Sequence, residues 1–145
     1  MTLKELQGEL VTTMKSWQEV ENSTIAVTAR VMEKTRNPII HLIMEVIQRD
    51  SQMHYRVQEW IADSLENKTV TLTPEEIVEI WDLIEEHIKL EKKSVEVAEQ
   101  ALASLKGKSM VLQAYLLSYL LEDERKHTSL LSSLESIKVK MHPYG

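Results

Sequence analysis

Apolar residues in four long stretches of this sequence return at steps of three and four, the spacing that lines up one side of an α-helix. The first stretch reads Leu10, Met14, Trp17, Glu21, Thr24, Thr28, Val31. The second reads Ile40, Met44, Ile47, Ser51, His54, Gln58, Ile61, Leu65. The third reads Ile77, Trp81, Ile84, Ile88, Glu91, Val95, Ala98, Leu102, Leu105, and the fourth Leu117, Leu120, Glu124, His127, Leu131, Leu134. Seams of this kind pack helices side by side with a left-handed twist. They predict an all-α chain, a four-helix bundle built from two helical hairpins.

Start and stop signals divide the stretches. Thr2 and Glu5 form a capping-box pattern that opens the first helix, which should run to about Arg36. Asn37-Pro38 supplies a cap and a proline at the first helical position, opening a second helix that ends near Glu66. After the short link Asn67 to Leu72, Thr73-Pro74-Glu75-Glu76 is a second capping box, with Leu72 and Ile77 placed to form a hydrophobic staple. Gly107 suits the end of the third helix, and Ser109 could cap a fourth that runs to about Lys138. The expectation is one bundle domain over 1–138 and a frayed tail over 139–145.

Composition narrows the function classes. The 145 residues hold no cysteine, so disulfides and thiolate metal sites are excluded. That suits a reducing cytoplasm, and the start Met1-Thr2-Leu3-Lys4-Glu5-Leu6 lacks the apolar run of a signal peptide. The net charge of -6 disfavours nucleic acid, whose affinity rests on Lys and Arg neutralising phosphates. No apolar stretch approaches the roughly 20 residues that span a bilayer, so no membrane partner is expected.

Each seam turns polar near its middle. Glu21 precedes Asn37 by almost the same length of chain as His54 follows it. Glu91 stands before Gly107 as Glu124 stands after it, and His127 lies one turn beyond Glu124. At about 1.5 Å per residue these groups reach similar heights within their hairpins, so three Glu and two His would share one core layer. Carboxylates that share a dry layer repel one another, and a divalent or trivalent cation removes the conflict. The mixed O/N set suits iron, manganese or zinc. In Glu124-x-x-His127 the spacing sets carboxylate and imidazole on one face. A weak internal duplication is also legible: Arg49-Asp50-Ser51-Gln52-Met53-His54 answers Glu122-Asp123-Glu124-Arg125-Lys126-His127, and Glu21 answers Glu91.

With Glu91 and the run Asp123-Glu124-Arg125-Lys126-His127, and with Glu21 and the run from Asp50 to His54, the chain resembles the ferritin-like, rubrerythrin-like di-metal carboxylate proteins from about Glu21 to Leu134. The resemblance implies two metal ions held by one Glu from each of two helices and a Glu-x-x-His from each of the other two. Carried over, Glu21, His54, Glu91, Glu124 and His127 are the ligands, and Asp50 and Asp123 accept hydrogen bonds that orient the histidines. The chain departs from the pattern at Ser51, where a bridging Glu is implied. One ion, two ions bridged by water or hydroxide, or none are the outcomes this leaves. His87, one turn before Glu91, is a candidate added ligand. No Cys-x-x-Cys segment is present, so the rubredoxin-like domain of rubrerythrins is absent.

The implied cofactor is iron, as a di-iron or mono-iron site, with manganese or zinc as alternatives, and O₂ or peroxide is the implied small-molecule partner. The function expected is a metal-dependent oxidoreductase or an iron- or peroxide-handling protein. The alternative is a non-enzymatic bundle with a structural or vestigial metal site. A hemerythrin-like O₂ binder is weaker: His87 and Glu91, and His41 and Glu45, have its spacing, but the histidines are too few. His41 and Glu45 read better as a surface pair, His142 as a solvated tail residue, and Trp17 and Trp81 as core. Link length bears on assembly. Parallel second and third helices sharing the metal layer need a climb of roughly 43 Å, and the link from Asn67 to Thr73 reaches at most about 25 Å. A plain up-down bundle or a swapped homodimer resolves this. The swapped homodimer is the expectation, with Glu21 and His54 from one chain and Glu91, Glu124 and His127 from the other.

Overall fold

The computed structural model describes residues 1–67 and 72–140. Four helices account for nearly all of them: α1 Leu3–Lys34, α2 Pro38–Glu66, α3 Pro74–Ser104 and α4 Val111–Lys140. The all-α class expected from the seams is therefore the observed one, and no strand occurs among the described residues. The helices pack as two hairpins, α1 on α2 and α3 on α4, in two compact units, Met1–Thr71 and Leu72–Gly145. The first hairpin shows its antiparallel sense in its ion pairs. Lys15 pairs with Glu66, whereas Glu21, further along α1, meets His54, earlier in α2.

The starts of α1, α2 and α3 form where the side chains dictate. The Thr2 hydroxyl accepts the Glu5 N–H at 3.1 Å, and the Glu5 carboxylate accepts the Thr2 N–H at 2.8 Å. Asn37 Oδ1 accepts the N–H groups of Ile39 and Ile40, with Pro38 at the first helical position. Thr73 and Glu76 repeat the reciprocal box at α3, at 3.3 and 3.2 Å. Each cap supplies partners to N–H groups that no helical carbonyl can reach, and is worth about 1 kcal/mol. At the other end of α3, Gly107 has φ +77°, in a turn that the Lys108 N–H closes onto the Leu105 carbonyl at 2.9 Å. A side chain resists that left-handed conformation and glycine does not.

Two expected ends differ. α4 begins one residue later than a Ser109 cap would place it, with the Met110 carbonyl accepting the Ala114 N–H as its first helical bond. Val139 and Lys140 continue α4 rather than fray. Residues 141–145, with His142, lie outside the described residues, as do residues 68–71 of the link.

Burial repeats with the heptad and with the duplication. Met14, Glu21 and Thr28 are buried on α1, and their counterparts in the repeat, Ile84, Glu91 and Ala98, are buried on α3. Val11, Met14 and Ala62 form the apolar centre of the first hairpin, packed by Ile61 and Leu65. A second stripe, further round each first helix, stays exposed: Leu10, Trp17, Val20 and Val27 on α1, and Ile80, Leu83, Leu90 and Val97 on α3. The expected α1 seam merged these two stripes. Trp17 is consequently half exposed rather than core, and Val11 takes a core place that the seam left out. Trp81 is part-buried and donates its Nε1–H to Glu85 at 3.0 Å.

Candidate metal centre

Glu91 is buried because it stands in the same heptad column as Ile77, Ile84 and Ala98. α3 also puts His87 one turn before it, with Nε2 at 3.0 Å from Glu91 Oε1. From α4, His127 Nδ1 lies 3.5 Å from the same oxygen. The other ring nitrogen of His127, Nε2, lies 3.3 Å from Asp123 Oδ2, one turn earlier in α4. Asp123 and His127, paired in the expectation, are thus in contact. Glu124 completes the group: one ligand atom each from Glu91, Glu124 and His127 lie within 4.8 Å of one another. An open groove of about 320 Å³ is lined by His87, Glu91, His127, Leu130 and Leu131, and Glu124 borders a second groove of about 420 Å³.

The electrostatics of the two carboxyls are opposite. Hydrogen bonding to Glu124 is the largest influence holding Glu91 below the ordinary glutamate range; burial opposes it, and His87 and the charge of His127 add to it. Glu124 is pushed up, first by its hydrogen bond to Glu91, then by burial and by the negative charge of Glu91. One proton shared between two carboxyls has this signature, with Glu124 keeping it. Glu91 Oε2 is buried and has no hydrogen-bond partner among the described residues. A buried carboxylate is costly unless a donor or a cation meets it, and the proton that Glu124 keeps is such a donor. A cation bound by both carboxylates and the imidazole would satisfy that oxygen and replace the proton.

In the first hairpin the equivalent residues meet in the same way. His54 Nδ1 lies 3.5 Å from Glu21 Oε1, the same distance as His127 from Glu91. Here a neutral amide takes part: Gln58 Nε2 donates to Glu21 Oε1 at 3.2 Å. Ser51, in the place that Glu124 holds in the second hairpin, is buried. Gln58 Oε1 is buried without a partner among the described residues. Asp50 is half-buried and makes no contact with His54 like that of Asp123 with His127.

Each hairpin thus gathers its own candidates, Glu21 and His54 in one, Glu91, Glu124, His127 and His87 in the other. Gln58 was legible as a seam position, one turn after His54, yet nothing in its type marked it as the donor to Glu21. The expected pair of His41 with Glu45 does not form. His41 Nε2 meets the Thr35 carbonyl at the hairpin turn, and Glu45 pairs with Arg49 at 2.7 Å. Among the described residues no helix is long and apolar enough to cross a membrane. Comparison of the chain with protein-family models, with curated proteins and with solved structures finds no match in any of the three.

Proposed function

We propose that this chain is a metal-binding helical protein. Glu91, Glu124 and His127 hold an iron or manganese ion, with His87 as a further donor, and the ion serves oxidation and reduction with O₂ or peroxide. The observation that carries the proposal is the buried Glu91 carboxylate with a second carboxyl and an imidazole within ligand distance of it. Two carboxylates and one or two imidazoles suit the divalent first-row ions. A bound iron or manganese ion supplies the change of oxidation state that protein side chains lack. The chain's own part is to bind and orient: Glu124 surrenders its proton when the ion enters, and Asp123 holds the His127 ring in position. The resemblance to ferritin-like di-metal proteins supports the redox part of the reading.

Ser51 favours a second reading. It stands where the repeat calls for a carboxylate, so the chain has one ligand fewer than a two-ion centre needs. A single ion that only stabilises the fold fits that deficit. The test is elemental analysis of protein purified without added metal and again after reconstitution with Fe(II), Mn(II) and Zn(II), followed by mixing of the Fe(II) form with O₂ or peroxide. Bound iron or manganese, lost in Glu91→Ala and Glu124→Ala, together with oxidation faster than that of free Fe(II), is the expected result. Metal bound equally tightly but inert leaves the structural reading. Absence of bound metal after all three reconstitutions ends both.

A further inference from the structure

We propose that the open groove between α3 and α4 binds a straight-chain alkyl carboxylate, its tail lying toward Ala101 and its carboxylate at Lys93, beside Glu124. The inference deepens the metal-binding reading, since it names the ligand class of that site, but the groove itself is independent of any ion.

Shape is the first observation. The groove holds about 420 Å³, inside the range of roughly 300–1,000 Å³ in which small-molecule sites fall. Leu90, Val97 and Leu120 stand exposed along its rims, and Ala98 is buried beneath them. Leu90 and Ala101 are about 16 Å apart along α3, so the groove is elongated. The internal repeat shows that its floor is particular to the second hairpin. Ser94, Ala98 and Ala101 line it, and their counterparts in the first hairpin are Thr24, Thr28 and Val31. Each of the three is the smaller member of its pair, and each counterpart is β-branched.

Polarity along the groove is the second. α3 and α4 run antiparallel, as the pairs of Glu99 with Arg125 and of Glu91 with His127 show. Lys93 and Glu124 therefore stand at the end near Glu91, and Leu117, two turns before Glu124, stands at the end near Ala101. One end carries charge, and the rest is apolar. Lys93 has no ion-pair partner among the described residues. Its counterpart in the first hairpin is Ser23, so the cation and the small floor belong to the same hairpin. An ammonium at one end of an apolar trough selects an amphiphile with a negative head and a slender tail. A bound metal ion offsets the charge of Glu91 and Glu124, so the loaded protein should hold that head more tightly than the metal-free one.

A packed helix does not take the same space. At about 10–12 Å across it rests on the rims and reaches the floor only through its side chains, whereas one alkyl chain can lie along the floor. A helix laid over Leu90 and Val97 would roof the groove with the tail inside.

The test is calorimetric titration of octanoate, decanoate and dodecanoate, each below its micellar concentration, into metal-free and Mn(II)-loaded protein. One molecule per chain is expected, with binding tightening by up to about fourfold for each methylene that enters the groove. Decanol and decylamine should bind about tenfold more weakly than decanoate. Lys93→Gln should bring decanoate and decanol to equal affinity. Ala101→Leu blocks the tail end and should weaken dodecanoate by about tenfold while sparing octanoate. That variant adds apolar surface, so a face that merely adsorbs surfactant would bind more in it, and such a gain overturns the proposal. Affinity independent of chain length overturns it too, as does decylamine binding as well as decanoate. Absence of binding by all three acids does the same, because side chains of a packed helix then fill the floor. The chain-length series uses wild-type protein, so it decides the matter even if Ala101→Leu fails to fold. Alkanoate bound by protein that takes up no Mn(II) or Fe(II) leaves the groove standing and ends the metal reading. Metal bound without alkanoate does the reverse.

Discussion

Glu124 keeps a proton that an isolated glutamate would give up, and Glu91 gives one up more readily, because the two carboxyls share it. For Glu91, whose folded value is depressed, the contribution to stability is present above the ordinary range and is lost as pH falls through the depressed value. For Glu124, raised in the fold, the contribution is present below the ordinary range and is lost as pH rises through the raised value. Metal-free protein should therefore have its highest melting temperature between the two values, losing stability as pH falls through the lowered one and as it rises through the raised one. Glu124→Gln removes the charge that causes the loss, so its melting temperature should stay flat on the alkaline side and match or exceed the wild type there. The same variant should bind no metal. A scan of melting temperature against pH, with and without Mn(II), checks both outcomes. Ser51→Glu tests the other hairpin: if a missing carboxylate is what limits the site, the variant should bind more metal per chain by elemental analysis. Much of this was legible in the sequence, because Glu-x-x-His spacing and a polar break in an apolar seam are local signals. The missing part was the roles of Gln58 and Asp50. A neutral amide donor or an unengaged Asp differs from its neighbours only in where the partner helix sets the opposing atoms.

The helices hold a different lesson. Their starts were readable where a side chain does the capping, at Thr2, Asn37 and Thr73, because the cap needs only residues within one turn of one another. The start of α4 was not: the Met110 carbonyl accepts the Ala114 N–H there, as the Thr2, Asn37 and Thr73 carbonyls do at their helices, but no side-chain cap marks it among the described residues. The α1 seam blurred for a related reason. Apolar residues occupy two stripes of that helix, and spacing cannot say which stripe meets α2. A capping prediction follows at this scale. Thr73→Ala removes the acceptor for the Glu76 N–H and should cost about 1 kcal/mol, as such caps typically do. Thr2→Ala should cost about as much or less, because the exposed first turn of α1 can fray without uncovering the buried Val11. Urea unfolding of the two variants beside the wild type measures both, and a loss shared equally with an exposed control such as Thr12→Ala would remove capping as the cause.

At the scale of the molecule, the exposed stripes decide how unfolding should depend on concentration. A two-helix hairpin has one buried face, and each of these hairpins leaves a row of large apolar side chains open beside it. Burying such side chains is worth about 1.5–3 kcal/mol each when complete, and that contribution reaches the fold only when a partner covers the stripe. If a second copy is that partner, the native state is a dimer and unfolding releases two chains. Its midpoint must then rise with protein concentration by mass action. Metal acts on the same equilibrium: a ligand of the native dimer alone stabilises it by about 2.7 kcal/mol at a hundred times its dissociation constant. The expected outcome is a melting temperature that climbs over a hundredfold range of chain concentration, in the metal-free protein as well as the loaded one, with the loaded curve displaced upward at every point. Leu90→Ser should lower the metal-free curve at every concentration, because it strips one large apolar group from the stripe without touching a ligand. A midpoint independent of concentration in wild-type protein would place the cover of the stripes within the single chain and remove the dimer as the source of stability.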